Sequence, residues 1–311
     1  LADGAEIILG PLFAESVEAA AAVTRAAKTP MIAFSSDLNA GGDGVYLLSF
    51  PPELEIERVT EYAISQEMTR FGVLAPLTVY GERVSNAFAE EVYVRGGVIV
   101  HEERYEQTPD AMLAPAERLA RYAQEIVPLE MRHDFDPDSS QAARGGDAGY
   151  TRGYQAVLMP EQGTLLRALA PLLPYYNVDI TRVKLLGVSA WKNPRLTREP
   201  ALRGGWFAAP DPEVTRNFEN RFAEAFGAPP PRLASLAYDA ARLAAQLGAA
   251  NRRRQRFGED VITDPNGYFG ADGLYRLNPD GSVERGLAIL EIQPGGFQVV
   301  DPAPRSFAPG Y

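Results

Sequence analysis

The stretch from Glu6 to Asp37, EIILGPLFAESVEAAAAVTRAAKTPMIAFSSD, limits the possible folds more than any other part of the chain. Ile7, Ile8 and Leu9 form a short unbroken apolar run stopped by Gly10-Pro11, the pattern of a strand covered on both faces. Ala14 to Lys28 places Val17, Ala20, Ala21 and Val23 at helical spacing, and Pro30 ends the segment. Met31 to Phe34 is a second buried run. Strand, helix and strand within about thirty residues make a βαβ unit, and such units build parallel sheets.

The alternation repeats along the chain. Apolar runs near Val45 to Phe50, Phe71 to Ala75, Val98 to Glu103, Gln155 to Met159, Val183 to Gly187 and Gly205 to Ala208 predict strands, with helical patterns between most of them. Three helical stripes are clean: Leu165, Leu166, Leu169, Leu172 and Leu173; Val214, Phe218, Phe222 and Phe226; Leu233, Leu236, Ala240, Leu243 and Leu247. Each predicts a face buried in a core. Met131 to Arg152 is polar, aperiodic and rich in Gly and Asp, so it reads as a long exposed loop between a helix and a strand. Near the end, Leu274 to Leu277, Pro279-Asp280-Gly281 and Leu287 to Ile292 read as strand, tight turn and strand. The fold class is therefore α/β.

Composition excludes several functions. A length of 311 residues suits about two domains. Thirty Lys and Arg against 41 Asp and Glu leave a formal charge of -11, the wrong sign for a nucleic-acid face. The basic run NRRRQRF, Asn251 to Phe257, reads as a solvated helix end. With no cysteine there is no disulfide, thiolate nucleophile or Cys-ligated zinc. No apolar run is long enough for a transmembrane segment, and no export signal opens these residues, so either the chain is cytosolic or its signal lies outside them.

Catalytic and cofactor motifs fail one by one. Ser189 in LLGVSAW follows a buried strand as a nucleophile elbow would, but Trp191 stands where the second glycine belongs. Asp136, Asp138, Ser140 and Asp147 match part of a calcium loop, but Gln141 replaces its glycine and no bidentate Glu ends it. Neither a P-loop nor a dinucleotide fingerprint is present, and His101 and His133 lack metal-ligand spacing. No catalytic residue, cofactor or metal is assigned. What remains are loops just past strand C-termini, where open α/β sheets place ligands: Pro11 to Ser16, Ser35-Ser36-Asp37, Tyr80, Pro160-Glu161 and Ser189 to Trp191. Hydroxyls and helix-start N–H groups there suit a carboxylate or other anion. Ser36 or Asp37 has an equal reading as a simple turn cap.

GAEIILGPLFAESVEAAAAVTRAAKTPMIAFSSD, YLLSF, FGVLAPLTVYGERVSNAFAEE, AVLMPEQGTLLRALAPLL, VKLLGVSAW, GGWFAAPDPE and ASLAYDAARLAA together resemble, in order and over most of the chain, the type I periplasmic solute-binding proteins that include the leucine/isoleucine/valine receptors. Within that family LLPYYNVD, DPNGYFGADGLYRLNPDGSVERGLAILEI and VDPAPRSF are most similar to the proteobacterial penicillin-binding protein activators, lipoproteins with a receptor-like domain.

The resemblance implies a clamshell of two lobes, each a mostly parallel sheet flanked by helices, joined by three crossings near Phe50, Ala209 and Leu277 to Ser282. The first lobe would be residues 1–50 plus 210–277, the second 51–209 plus 284–293, and 294–311 a C-terminal tail. It also implies a strand and helix before Leu1 that these residues do not include. Ala14, Ser16, Ser35, Ser36 and Asp37 match positions that hold the ligand carboxylate, and Tyr80 matches the tyrosine of the other lobe. The acid that grips the ligand ammonium falls on Ser189 and an aromatic on Pro160 or Glu161, two departures that weaken α-amino-acid binding. Trp191 is large enough to fill the cleft. Two non-enzymatic readings follow: a periplasmic envelope lipoprotein domain docking on a peptidoglycan synthase, with its anchor outside these residues, or, as the alternative, the receptor of an ABC permease for a small polar ligand.

Overall fold

The computed structural model describes residues 4–123, 126–128, 149–151, 153–250 and 256–307. The chain divides into two compact units: residues 1–54, 210–288 and 302–311 form unit 1, and 55–209 with 289–301 form unit 2.

Unit 1 opens on the βαβ expected from the sequence. β1 (Ile8–Leu9), β2 (Met31–Ala33) and β3 (Val45–Leu47) pair in parallel in that order, with Ile8 opposite Met31 and Met31 opposite Val45. Helix α1 (Ala14–Ala27) ends at Lys28, which takes the left-handed conformation at φ 53°. β2 and β3 are apolar along their length because both faces are covered, whereas at the edge β1, expected to be covered on both faces, leaves Leu9 40% exposed because among the described residues no strand pairs with its outer side. Met31, Ala33, Val45 and Leu47 pack with Val17 and Ala21 of α1, while Ile32 and Tyr46 face the opposite way into a second cluster.

Unit 2 receives the chain through α2 (Pro52–Ser65) and holds β4 (Arg70–Pro76), α3 (Val79–Val94), β5 (Val98–Tyr105) and α4 (Pro109–Arg121). After the antiparallel pair β6 (Ile126–Pro128) and β7 (Gly149–Thr151) come β8 (Ala156–Leu158), α5 (Gly163–Leu169), α6 (Leu172–Tyr175), β9 (Lys184–Gly187) and β10 (Trp206–Ala209). β7 lies inside the stretch read as loop; the rest of that stretch, with His133 and the partial calcium motif, lies outside the described residues.

The chain then returns to unit 1 for α7 (Pro212–Phe226), α8 (Ala234–Ala250) and α9 (Glu259–Ile262), followed by the antiparallel sheet of β11 (Tyr268–Gly270), β12 (Gly273–Leu277) and β13 (Val283–Arg285). Leu236, Ala240, Leu243 and Leu247 of α8 complete the second cluster with Tyr275 and Leu277. β14 (Ala288–Gln293) and β15 (Gly296–Asp301) belong to the unit 2 sheet, whose order is β15-β14-β10-β9-β8-β4-β5. Its pairs from β10 through β9, β8 and β4 to β5 are parallel, and β14 with β15 is antiparallel.

Several expectations change. The hairpin partner of β12 is β13, not the run at Leu287, because Asn278 to Ser282 close a tight turn with hydrogen bonds in both directions across it. β13 accordingly stays in unit 1, and residues 296–301 are a strand rather than tail. The chain passes between units four times, after residues 54, 209, 288 and 301. The Leu165 to Leu173 stripe is split by Ala170-Pro171 into α5 and α6. Finally, the phenylalanines of α7 cover one another, with ring centroids 5.9 Å apart for Phe218–Phe222 and 4.5 Å for Phe222–Phe226. Phe226 is left 71% exposed, so this face is only partly core.

Candidate functional site

In unit 1, the Gly10 N–H donates to the Ile32 carbonyl at 2.7 Å and the Phe34 N–H to the Pro11 carbonyl at 2.9 Å. These bonds hold the loop leaving β1 beside the loop leaving β2; Ala14 and Ser16 follow on from the first, and Ser35, Ser36 and Asp37 lie on the second. The Gly10–Pro11 peptide is cis. Helix α1 starts without a side-chain cap, its N-cap being Phe13, which is 72% exposed. Ser16 and Ser36 are exposed, and Ser35 is buried with its Oγ accepting the Asp37 N–H at 3.1 Å. Asp37 caps the short turn Leu38–Ala40, its Oδ1 taking the Asn39 N–H at 3.1 Å and the Asn39 side-chain amide at 3.0 Å. Its carboxylate is engaged in the turn, as the capping reading has it.

In unit 2, Tyr80 sits in the first turn of α3, 42% exposed. The Thr78 hydroxyl caps that helix by accepting the Gly81 N–H at 3.0 Å. Gly81 is required by packing, since a Cβ there would overlap the Pro76 carbonyl at the end of β4. Leu77 and Val79 beside it are exposed, and a groove of about 480 Å³ runs along Leu77, Thr78, Val79, Glu82 and Arg104.

Glu161, just past β8, is buried. Its carboxylate accepts the Tyr105 hydroxyl at 3.0 Å, the Gln107 amide at 3.1 and 3.3 Å and the Gln162 N–H at 3.0 Å. Burial, reinforced by the Glu161 charge and hydrogen bond, drives the Tyr105 pKa far up and keeps the phenol a donor. Trp191 is fully buried: its indole N–H donates to the Glu161 carbonyl at 3.1 Å, and its ring lies where Cβ atoms at Gly187 and Gly205 would sit. Trp191 thus belongs to the packed end of β9 and β10. Ser189 donates both its N–H, at 2.8 Å, and its Oγ–H, at 2.5 Å, to the carboxylate of Glu55.

Glu55 is the residue that sequence reasoning missed. It is a buried acid in the first turn of α2 that reaches the end of β9, 134 positions away. Nothing in FPPELE marks it beyond an acidic residue near a helix start. His101 stacks on Tyr122 at 3.9 Å and meets Glu103 at 2.8 Å, and the described residues contain no group of three or more His, Cys, Asp or Glu able to hold a metal. A cavity of about 560 Å³ in unit 1, lined by residues such as Glu6, Lys28, Asp43 and Arg256, opens at the N-terminal ends of the strands. It includes none of the candidate residues, and strand polarity favours the opposite end for a ligand.

No family model matches the sequence, and no curated protein matches it. Solved structures do match. A putative branched-chain amino acid ABC transporter protein from Rhodospirillum rubrum superposes with TM-score 0.73 at 18% identity, covering 94% of this chain and 79% of the other. An ABC transporter substrate-binding protein from Desulfitobacterium hafniense in complex with Leu gives 0.62 at 18% identity, covering 96% and 81%. A solute-binding protein of an ABC transporter from R. palustris in complex with benzoate gives 0.62 at 14% identity, covering 97% and 79%. The fold is that of the type I periplasmic binding proteins. The similarity runs through both units of this chain, and the mostly parallel sheet flanked by helices in unit 2 is the architecture such a protein requires.

Proposed function

We propose that this protein is the solute-binding component of an ABC transporter, a non-enzymatic periplasmic receptor for a small polar ligand. The observation carrying this reading is the match of nearly the whole chain to substrate-binding proteins of such transporters, among them one holding Leu and one holding benzoate. The ligand would be met from unit 1 by Ser16, Ser35, Ser36 and the uncapped start of α1 at Ala14, with Asp37 shaping the loop. In unit 2 the exposed candidate contact is Tyr80, while Glu161, Ser189 and Trp191 are engaged within the unit by Tyr105, Glu55 and the Glu161 carbonyl. The partner would be the transporter's permease. Among the described residues no helix is long and apolar enough to cross a membrane.

The activator reading, a lipid-anchored domain docking on a peptidoglycan synthase, draws on the narrower sequence likeness and on one structural observation. Ser189 and Glu161 have polar groups engaged by protein partners, as in a cleft that no longer takes a ligand. The fold matches favour the receptor.

Thermal unfolding of the full chain against branched-chain amino acids, aromatic carboxylates and small peptides tests the proposal. A ligand at a hundred times its dissociation constant adds about 2.7 kcal/mol when it binds only the folded state. A clear upward shift with one class establishes the receptor and names its solute; a flat panel returns the weight to protein docking.

A further inference from the structure

The stretches that carry the chain from one unit to the other are held, inside each unit, by an arginine. In unit 1, Arg285 ends β13, just before the third passage. Its Nε donates to the Ser49 carbonyl at 2.6 Å, and its guanidinium lies 4.0 Å over the Phe50 ring. The Asp272 and Asp239 charges support that guanidinium. Ser49 and Phe50 lead into the first passage, so one side chain ties the unit 1 ends of two passages 236 positions apart in sequence.

The unit 1 end of the fourth passage lies at the same place. A Cβ at Gly286 would come within 3.1 Å of the Pro304 carbonyl oxygen, so this glycine lets the returning chain run close against the chain about to leave. Further on, the Phe307 ring packs against Gly267 and lies 4.6 Å from the Arg276 guanidinium. In unit 2, Arg58 stands in α2 shortly after the first passage and pairs with Asp301, the last residue of β15 before the fourth. The residues left between these anchors are few: Pro51 and Pro52 in the first passage, Gly286 and Leu287 in the third, and Pro302 to Pro304 in the fourth. Proline fixes φ, which reduces the free torsions further.

We propose that Arg285 and Arg58 are the two clamps of a hinge, Arg285 fixing the passages where they leave unit 1 and Arg58 fixing them in unit 2. Hinges work through a few element-terminal residues that absorb the change in φ and ψ. Without the clamps, Ser49, Phe50 and Asp301 would join the movable stretches and spread the motion over more torsions. Arginine suits the role because its planar fork bonds in fixed directions while its face stacks on an aromatic ring. The inference extends the receptor reading, in which two units close on a solute, but it concerns the ligand-free chain and is tested without a solute.

The chain has no cysteine, so Glu219→Cys on α7 and Glu90→Cys on α3, both exposed, put one spin label on each unit. Pulsed electron resonance on the full chain then gives the distribution of distances between the labels. Arg285→Lys keeps the charge and loses the fork and the stacking face; Asp301→Asn breaks the pair with Arg58. Each should broaden the distribution relative to wild type. Arg118→Lys weakens the two-pronged bond to Glu103, remote in sequence from every passage, and should leave the width unchanged, which separates a clamp from general loosening. Circular dichroism establishes that each variant is folded, and if Arg285→Lys is not, Phe50→Leu removes the stacking alone and takes its place. The proposal is overturned by a wild-type distribution as broad as the variants', by wild-type width in either folded clamp variant, or by equal broadening in Arg118→Lys. Broadened clamp variants together with a flat solute panel would keep the hinge and remove only the receptor reading.

Discussion

Trp191 and Asp239 show what single residues contribute. The indole of Trp191 fills the space above Gly187 and Gly205, so both glycines are small because the ring is there. Trp191→Ala should cost about 3–5 kcal/mol, read from the urea midpoint, as expected for emptying a buried aromatic site. Gly187→Ala should destabilise strongly as well, since its Cβ meets the ring and not a flexible side-chain end. Asp239 supplies the pH dependence. Its pKa in the folded chain, about 6, lies above that of an unfolded aspartate, so the native state holds the proton more tightly. Stability from this group is therefore full below about pH 4 and falls as the pH rises towards 6. Asp239→Asn keeps the acceptor for Ala271 and removes the titration. Its stability relative to wild type should rise between pH 4 and 7 by on the order of 2 kcal/mol, and a constant difference across that range would contradict the assignment. The sequence made some of this visible: the turn cap at Asp37 was readable because capping residues act within a few positions. Glu55 was not, because its partner Ser189 is remote and only the sheet order brings them together.

At the scale of elements, capping separates two helix starts that the sequence treats alike. Helix α3 has the Thr78 hydroxyl on Gly81 N–H, whereas α1 begins after Phe13 with no side-chain acceptor. Thr78→Ala should therefore cost about 1 kcal/mol of stability, measured by chemical denaturation. Phe13→Ser should do the reverse, gaining about 0.5–1 kcal/mol by capping α1. If α1 meets the ligand through its open N–H groups, the same variant weakens binding of the solute found in the thermal panel. Strands and helices were largely legible from period and punctuation, since β1 to β3 are apolar at each position and α8 has a continuous stripe. The α7 stripe was legible as a pattern but not as burial, because spacing fixes which residues share a face and says nothing of whether a neighbour covers it.

For the whole molecule, the discontinuous units were the hardest feature to read, because strands of one unit follow strands of the other with no linker between them. β13 and β14 are separated by only two residues, Gly286 and Leu287, yet lie in different units. The family likeness implies three passages, near Phe50, Ala209 and Leu277 to Ser282, and the compact units divide after residues 54, 209, 288 and 301, the last where β15 leaves the unit 2 sheet. The units also differ in build. Unit 2 has a seven-stranded sheet, whereas unit 1 divides its strands between two three-stranded sheets, one edged by the two-residue β1. Small sheets with short edges bury less apolar surface per strand, so unit 1 should be the less stable. Both tryptophans of the chain, Trp191 and Trp206, belong to unit 2, so their emission reports that unit alone, while far-ultraviolet circular dichroism reports both. On heating without ligand, ellipticity should begin to fall before the tryptophan emission shifts. A ligand that binds only the folded chain should raise the transition of whichever unit holds it. Tryptophan emission that shifts first would place the weaker structure in unit 2.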